Sequence, residues 1–136
     1  MKIFIAYKFS AEKNKEELRT LLEKLSGALE AAGHSTYIHF RDVEKWGEVE
    51  LSPDEIIRGA LKELKSCDAI FALMMTLEKS EGMLLEVGFA KALDKKIILA
   101  IKKGERAVFL KALADDVIEF EDGDDLMNKI GEITEK

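Results

Sequence analysis

The apolar stretch from Asp68 to Met75 constrains the fold more than any other part of the chain. After its aspartate it is apolar without interruption, and it lacks the alternating polar positions of a strand with one solvent face. It is far shorter than the roughly 20 residues that a transmembrane helix needs. These features are typical of a central strand in a parallel sheet, which helices cover on both faces.

Segments with strand and helix patterns alternate along the whole chain. Gly33 stands where the first helix should end, and Ser52, Pro53 and Glu55 occupy the N-cap, first and third positions that favour a helix start. Residues 41–51 have no clear period and should form a loop. We predict strands at 2–7, 35–40, 68–75, 96–101 and 117–120, and helices at 11–32, 52–64, 80–93, 107–114 and 122–133.

This alternation predicts a single α/β domain over residues 1–136, because parallel strands need helical crossovers that cover both faces of the sheet. The expected architecture is a flavodoxin- or Rossmann-like three-layer fold with a five-stranded parallel sheet in the order 2-1-3-4-5. Such sheets bind ligands beyond the carboxyl ends of their strands, where the strand order reverses. Here that edge follows Tyr7 and Met75 and includes the start of the helix at 80–93.

The composition disfavours several kinds of partner. A formal net charge of -6 argues against nucleic acid and anionic membrane surfaces. Cys67 is the only cysteine, so the chain has no internal disulfide and no cysteine-built zinc site, and we expect a reducing, cytoplasmic setting. His34 and His39 are too few for a metal centre, and we expect both at the surface. We therefore predict no metal and no cofactor.

The helix at 80–93 carries the residue that most strongly indicates chemistry. This helix is apolar on nearly every face, which predicts that it is buried, and Glu86 is set among its apolar residues. A buried carboxylate is costly unless it is paired. Near the positive end of the helix dipole, Glu86 could attack the anomeric carbon of a sugar or stabilise an oxocarbenium-like transition state. Alternatively, it lies on an exposed stripe and pairs with Lys91 or Lys95.

The run Gly82-Met-Leu-Leu-Glu86-Val-Gly88-Phe-Ala90, followed by Lys95-Lys-Ile-Ile, resembles the signature of the nucleoside 2-deoxyribosyltransferase-like proteins. These include the 2'-deoxynucleoside 5'-phosphate N-hydrolases. The resemblance implies one domain of this type over residues 1–136, with Glu86 as the nucleophile that displaces the base from deoxyribose. It also implies a homodimer whose active sites are completed across the interface.

The sequence departs from that family at several supporting positions. By the resemblance, Ala60 stands where an aspartate acts near the leaving base, and Phe4 stands where a tyrosine orients the glutamate. Tyr7 is an odd number of residues from Phe4 and belongs to the opposite face of the strand. Ser80 matches a serine that contacts the 5'-phosphate in the N-hydrolases, although it could equally be an ordinary N-cap.

Around Glu86 we expect Ser80, the Gly82 amide, Tyr7 and Trp46 to bind a nucleoside or nucleotide. Trp46 could stack on the base, or it could cover a hydrophobic edge or a dimer contact. A substitute for the missing aspartate could come from one of five carboxylates, and the sequence leaves the choice open: Asp54, Glu55, Asp68, Glu78 and Glu81.

Three functions remain open at this point. The first is N-glycosidic bond hydrolysis or deoxyribosyl transfer through Glu86. The second is a nucleotide-binding module of the same fold that has lost catalysis, which the departures at Phe4 and Ala60 favour. The third is a NAD hydrolase that resembles the Toll/interleukin-receptor domains, which share the alternation and an opening strand like Phe4-Ile-Ala-Tyr7.

Overall fold

The protein is represented by a computed structural model that describes residues 1–7, 15–75 and 81–131. The predictions for Ser80 and Glu78 lie outside the described residues. The five strands are β1 (Lys2–Tyr7), β2 (Ser35–Tyr37), β3 (Ala69–Met74), β4 (Lys96–Lys102) and β5 (Asp116–Phe120). The helices are α1 (Lys15–Ala31), α2 (His39–Asp42), α3 (Pro53–Ser66), α4 (Glu81–Ala92), α5 (Val108–Leu113) and α6 (Gly123–Ile130), with a 3₁₀ turn at Lys45–Gly47.

The strands form one parallel sheet in the order β2-β1-β3-β4-β5, which confirms the predicted fold. All six residues of β3 are buried, as expected of the central strand. Two buried clusters flank the sheet. One lies beneath α3, α4 and α5, and the other lies beneath α1 and α6. Phe4 belongs to the first cluster, whereas Tyr7 packs against the second, so the predicted opposition of these two side chains is confirmed.

The predicted start of α3 is present as a complete capping box. The Ser52 hydroxyl accepts a hydrogen bond from the Glu55 amide at 3.2 Å, and the Glu55 carboxylate accepts one from the Ser52 amide at 3.1 Å. Pro53 begins the helix. The helix α3 packs beside α4, which carries Glu86.

The region after β2 differs from the sequence-based prediction. The strand predicted at 35–40 ends at Tyr37. Helix α2 takes up the last two residues of that predicted strand and the first two of the predicted loop, and the 3₁₀ turn lies within the loop. The reason is local: the Asp42 carboxylate accepts a hydrogen bond from the Ile38 amide at 2.9 Å and therefore takes that amide out of the sheet ladder. Arg41 donates to the other oxygen of Asp42 at 2.9 Å and reinforces the turn.

Two further expectations were wrong. The histidines are buried rather than at the surface, because His34 contacts the N-terminal amine at 3.1 Å and His39 packs between β2 and α3. The helix α4 is buried on one face only, through Met83, Val87 and Ala90. Its other apolar residues include Leu85, which is 54% exposed. A uniformly apolar helix at the surface of one chain leaves an apolar patch that a partner could cover.

Candidate active site

Glu86 lies in the second turn of α4, partly buried at the side of the helix that borders the carboxyl edge of the sheet. Burial raises the pKa of its carboxyl group from 4.5 to about 7. Within the described residues no salt bridge or hydrogen bond reaches this carboxylate. Lys95, one of the two lysines considered as its partner, instead donates to the Lys65 carbonyl at 2.9 Å. Glu86 therefore titrates near neutral pH, a perturbation that occurs often at functional sites.

Two tyrosines lie within electrostatic reach of Glu86. Burial raises the pKa of Tyr7, with added contributions from the Glu44 and Glu86 carboxylates, while a hydrogen bond from the Phe40 amide opposes the rise. Burial likewise raises the pKa of Tyr37, and Glu86 is among the negative groups that add to the rise. Both phenols therefore keep their protons at neutral pH. Tyr7 ends β1 at the carboxyl edge of the sheet, whereas Tyr37 ends the shorter β2 at the level of Phe4.

Tyr37 occupies the position beside Phe4. The two residues are register partners on β2 and β1, and their rings lie 5.4 Å apart at an interplanar angle of 33°. Although Phe4 has no hydroxyl, a phenol is therefore present one strand away on the same face of the sheet. This phenol is directed to His39, because the Tyr37 hydroxyl lies 2.7 Å from His39 Nδ1.

His39 begins α2 and is only 6% exposed. Its Cε1 would lie 3.3 Å from a Cβ atom at Gly59 on α3, so the ring rests against the backbone of that helix. The other ring nitrogen, Nε2, is buried and has no hydrogen-bond partner in the part of the chain that the structure describes. Burial lowers the pKa of His39, and the Asp42 carboxylate acts in the opposite direction. The imidazole is therefore neutral at neutral pH.

Arg41 fixes α2 against the rest of the protein. Its guanidinium donates to the Ser26 hydroxyl at 2.9 Å on α1 and to the Thr36 carbonyl at 3.0 Å on β2. Burial alone would raise the pKa of Asp42, but the hydrogen bonds from Arg41 and the Ile38 amide lower it overall. His39 is thus held by a rigid turn, which limits the directions in which Nε2 can point.

Trp46 lies in the 3₁₀ turn that follows α2. Lys45, Trp46 and Gly47 form a left-handed turn with φ values of 51°, 58° and 95°. The Trp46 ring meets Phe40 edge-on at 5.4 Å, and the Arg19 guanidinium lies 4.9 Å from the ring centroid. These contacts hold the turn against α1.

The carboxylates considered as replacements for the residue at Ala60 are used elsewhere or exposed. Asp54 pairs with Arg58 at 2.7 Å, and Glu55 completes the capping box. Asp68 accepts the Lys2 amide at 2.8 Å, and Glu81 is exposed at the start of α4. Ala60 itself is buried on α3. None of these four carboxylates is therefore placed by its contacts to replace the missing aspartate.

Gly82 is the second residue of α4, so its amide is one of the four at a helix N-terminus that lack an intrahelical acceptor.

A separate groove of about 340 Å³ lies between α1 and α6, and none of the predicted site residues line it. Within the described part of the chain, no cluster of three metal-ligating side chains is present. No described helix combines the length and the apolar character needed to cross a membrane.

Sequence reasoning missed Tyr37 and His39. Their spacing of two residues at the end of a predicted strand was the available signal, because such residues share one face of a strand. His39 was assigned to the surface because its packing against α3 depends on the turn made by Asp42, which no local pattern indicates.

The fold is that of an α/β protein whose strand order reverses between β1 and β3, and Glu86 lies within electrostatic reach of Tyr7 at the end of β1. The nucleoside 2-deoxyribosyltransferase family profile matches residues 7–128, and the chain belongs to this family. No curated protein sequence matches the chain.

Similar solved structures support the same architecture. The CMP N-glycosidase of Clostridium botulinum has a TM-score of 0.73 at 23% identity, covering 98% of this chain and 100% of its own. A 2-deoxyribosyltransferase of Bacillus psychrosaccharolyticus has a TM-score of 0.65 at 21% identity, covering 94% and 91%. A conserved protein of Enterococcus faecalis has a TM-score of 0.68 at 13% identity, covering 96% and 97%. At these identities the likeness establishes the fold.

Proposed function

We propose that the protein cleaves or transfers at the N-glycosidic bond of a (deoxy)nucleoside or its 5'-monophosphate, with Glu86 as the nucleophile. Membership of the nucleoside 2-deoxyribosyltransferase family supports N-glycosidic bond chemistry in general. The observation that carries the finer proposal is the setting of Glu86 itself. It is a desolvated carboxylate without a described cation, on the helix that borders the carboxyl edge of the sheet.

The proposed reaction has two displacements. A carboxylate oxygen of Glu86 bonds to the anomeric carbon while the carbon–nitrogen bond breaks, and the electron pair of that bond leaves on the base. The base takes a proton from solvent. Water, or a second base in a transfer reaction, then attacks the same carbon, restores the Glu86 carboxylate and releases one proton. Hydrolysis therefore consumes one water and yields a free base and a free sugar.

Four other residues are proposed to bind the substrate. The Gly82 amide, with Ser80, would donate hydrogen bonds to a 5'-phosphate at the start of α4, where the helix dipole favours an anion. Tyr7 would line the bottom of the substrate site, since its phenol is within electrostatic reach of Glu86. Trp46 would line the side of the substrate site that lies nearest to α1.

The test is base release from a panel of deoxynucleosides, deoxynucleoside monophosphates, ribonucleoside monophosphates and NAD, followed by chromatography. We expect release of a base from at least one nucleoside or nucleotide, and loss of that release in Glu86→Gln. The matched control is Glu81→Gln, which changes an exposed carboxylate on the same helix. Mass spectrometry of rapidly quenched wild-type protein should detect a sugar adduct on the peptide that contains Glu86.

Release that persists in Glu86→Gln would refute the nucleophile. Binding of nucleotides with no release from any substrate would favour the lapsed binding module. Release of nicotinamide from NAD alone would favour the NAD hydrolase. The cytoplasmic localisation expected from the sequence stays a prediction.

We also propose a homodimer formed through α4 and α5. Both helices cover the same face of the sheet and pack on β4. Their outer surfaces expose large apolar side chains, including Leu85 at 54% and Phe109 at 80%. Sedimentation should give a dimer for the wild type and a monomer for Phe109→Asp. Val49→Asp, which changes an exposed apolar residue in a loop, should remain dimeric. A monomeric wild type would refute this arrangement.

A further inference from the structure

The Tyr37–His39 pair ends in an unsatisfied nitrogen. The Tyr37 hydroxyl and His39 Nδ1 lie 2.7 Å apart, and Nε2 on the opposite side of the ring has no hydrogen-bond partner among the described residues. An unpaired buried polar group is costly, so native proteins rarely retain one without a use. The rest of His39 is well supported, because its ring rests on α3 at Gly59 and its backbone belongs to the braced turn of α2.

The hydrogen bond between Tyr37 and His39 determines whether Nε2 carries the single ring proton of the neutral imidazole. If the Tyr37 hydroxyl donates to Nδ1, one group remains unpaired, namely Nε2–H. If Nδ1–H donated to the hydroxyl instead, both the phenol proton and the Nε2 lone pair would lack a described partner. The first arrangement satisfies more groups and makes His39 a neutral imidazole whose Nε2 is a hydrogen-bond donor.

This donor belongs to the same region as Glu86. Tyr37 contacts His39 directly and lies within electrostatic reach of Glu86. His39 lies against α3, and α3 packs beside α4, which carries Glu86. His39 at the start of α2 is therefore linked to the region of Glu86 both through Tyr37 and through α3. A substrate held with its sugar at Glu86 extends its base towards one of these neighbouring elements.

We propose that His39 is the contact for the departing base, donating a hydrogen bond from Nε2 to an acceptor atom of that base, and that Tyr37 is the positioning residue that fixes this tautomer. The inference rests on the proposed function of Glu86. When the carbon–nitrogen bond breaks, its electron pair stays on the base, and negative charge spreads over the ring nitrogens and carbonyl oxygens. A fixed donor at one of these atoms stabilises that charge. The imidazole stays neutral, and the proton that the base finally takes comes from solvent.

The chain offers a matched pair of substitutions. His39→Gln retains an amide N–H near the position of Nε2, whereas His39→Asn retains a polar group near Nδ1 only. We expect His39→Asn to lower kcat by about 10²–10³, the usual cost of one such donor, and His39→Gln to lower it by less than about tenfold. Tyr37→Phe keeps the ring contact with Phe4 and should lower kcat while mixing the two imidazole tautomers, which ¹⁵N NMR of His39 reports.

Binding separates this inference from the proposed function. In the Glu86→Gln background, calorimetry with the deoxynucleoside monophosphates should give at least tenfold weaker binding for His39→Asn than for His39→Gln. If the wild type releases base but the two variants are equal in rate and affinity, His39 is not the base contact, and the function of Glu86 stands. Equal variants are also the result expected if Nε2 holds only a structural water. If the protein binds nucleotides without releasing a base, the ratio of the two variants' affinities tests the inference. A tenfold difference supports His39 as the base contact, and equal affinities refute it. If it neither binds nor releases, both proposals fail.

Discussion

Neutralising Glu86 should stabilise the folded protein at alkaline pH and change little at acidic pH. Burial raises the pKa of this carboxyl group to about 7 in the folded protein, whereas its ordinary value is 4.5. Between these two values the folded protein keeps a proton that the unfolded chain has lost. Because the folded state binds more protons, its stability falls as pH rises through this window, and the loss is complete above pH 7.

The magnitude follows from the same two values. The difference between 4.5 and about 7 corresponds to a destabilisation of about 3 kcal/mol at pH 8, as an upper limit. Glu86→Gln removes the charge without changing the size of the side chain. We expect the variant to exceed the wild type by up to about 3 kcal/mol in free energy of unfolding at pH 8, and to match it at pH 4.5.

Urea unfolding followed by circular dichroism at pH 4.5, 6, 7 and 8 measures this difference. Glu81→Gln is the control, because that carboxylate is exposed at the start of the same helix. A Glu86→Gln variant that is no more stable than the wild type at pH 8, or equally more stable at every pH, would refute the reasoning. Either result would mean that the carboxylate is solvated or paired in solution.

Three further outcomes are expected. If ionised Glu86 is the nucleophile, kcat/KM should rise about tenfold between pH 6 and pH 8, as the ionised fraction grows from about 10% to about 90%; a flat profile would contradict this. Ser52→Ala should lose about 1 kcal/mol of unfolding free energy in urea titration, whereas Ser52→Asp should retain most of it, since either side chain accepts the Glu55 amide. Gly27→Ala should gain about 1 kcal/mol because nothing lies near the new methyl, but Gly59→Ala should gain less, since its methyl would lie 3.3 Å from the His39 ring; equal gains would count against that packing.

The fold was predictable because its signals are local and periodic. The continuous apolar run that became β3 and the capping residues at Ser52 and Glu55 each specify structure within a few residues. The same locality explains why Glu86 could be proposed from the sequence: a carboxylate set among the apolar residues of a helix is visible there.

The supporting part of the candidate site was not predictable in this way. The turn that carries His39 depends on Asp42 and on Arg41 reaching α1, and the partner of Tyr37 on β1 is defined only by strand register. Likewise, the exposure of Leu85 depends on which face of α4 meets the sheet, and a uniformly apolar helix gives no preferred face. Each of these features is a tertiary property.

The left-handed turn at Lys45–Gly47 has a mechanical consequence for the protein. Two successive non-glycine residues at positive φ cost about 1–2 kcal/mol each, so the turn would relax if it were free. It is retained because the Trp46 indole is clamped between Phe40, on the segment after β2, and Arg19 on α1. The Trp46 indole therefore connects two separate stretches of chain, the segment after β2 and α1. Any movement of α1 at this edge is therefore transmitted to the segment that carries His39, and the two should shift together.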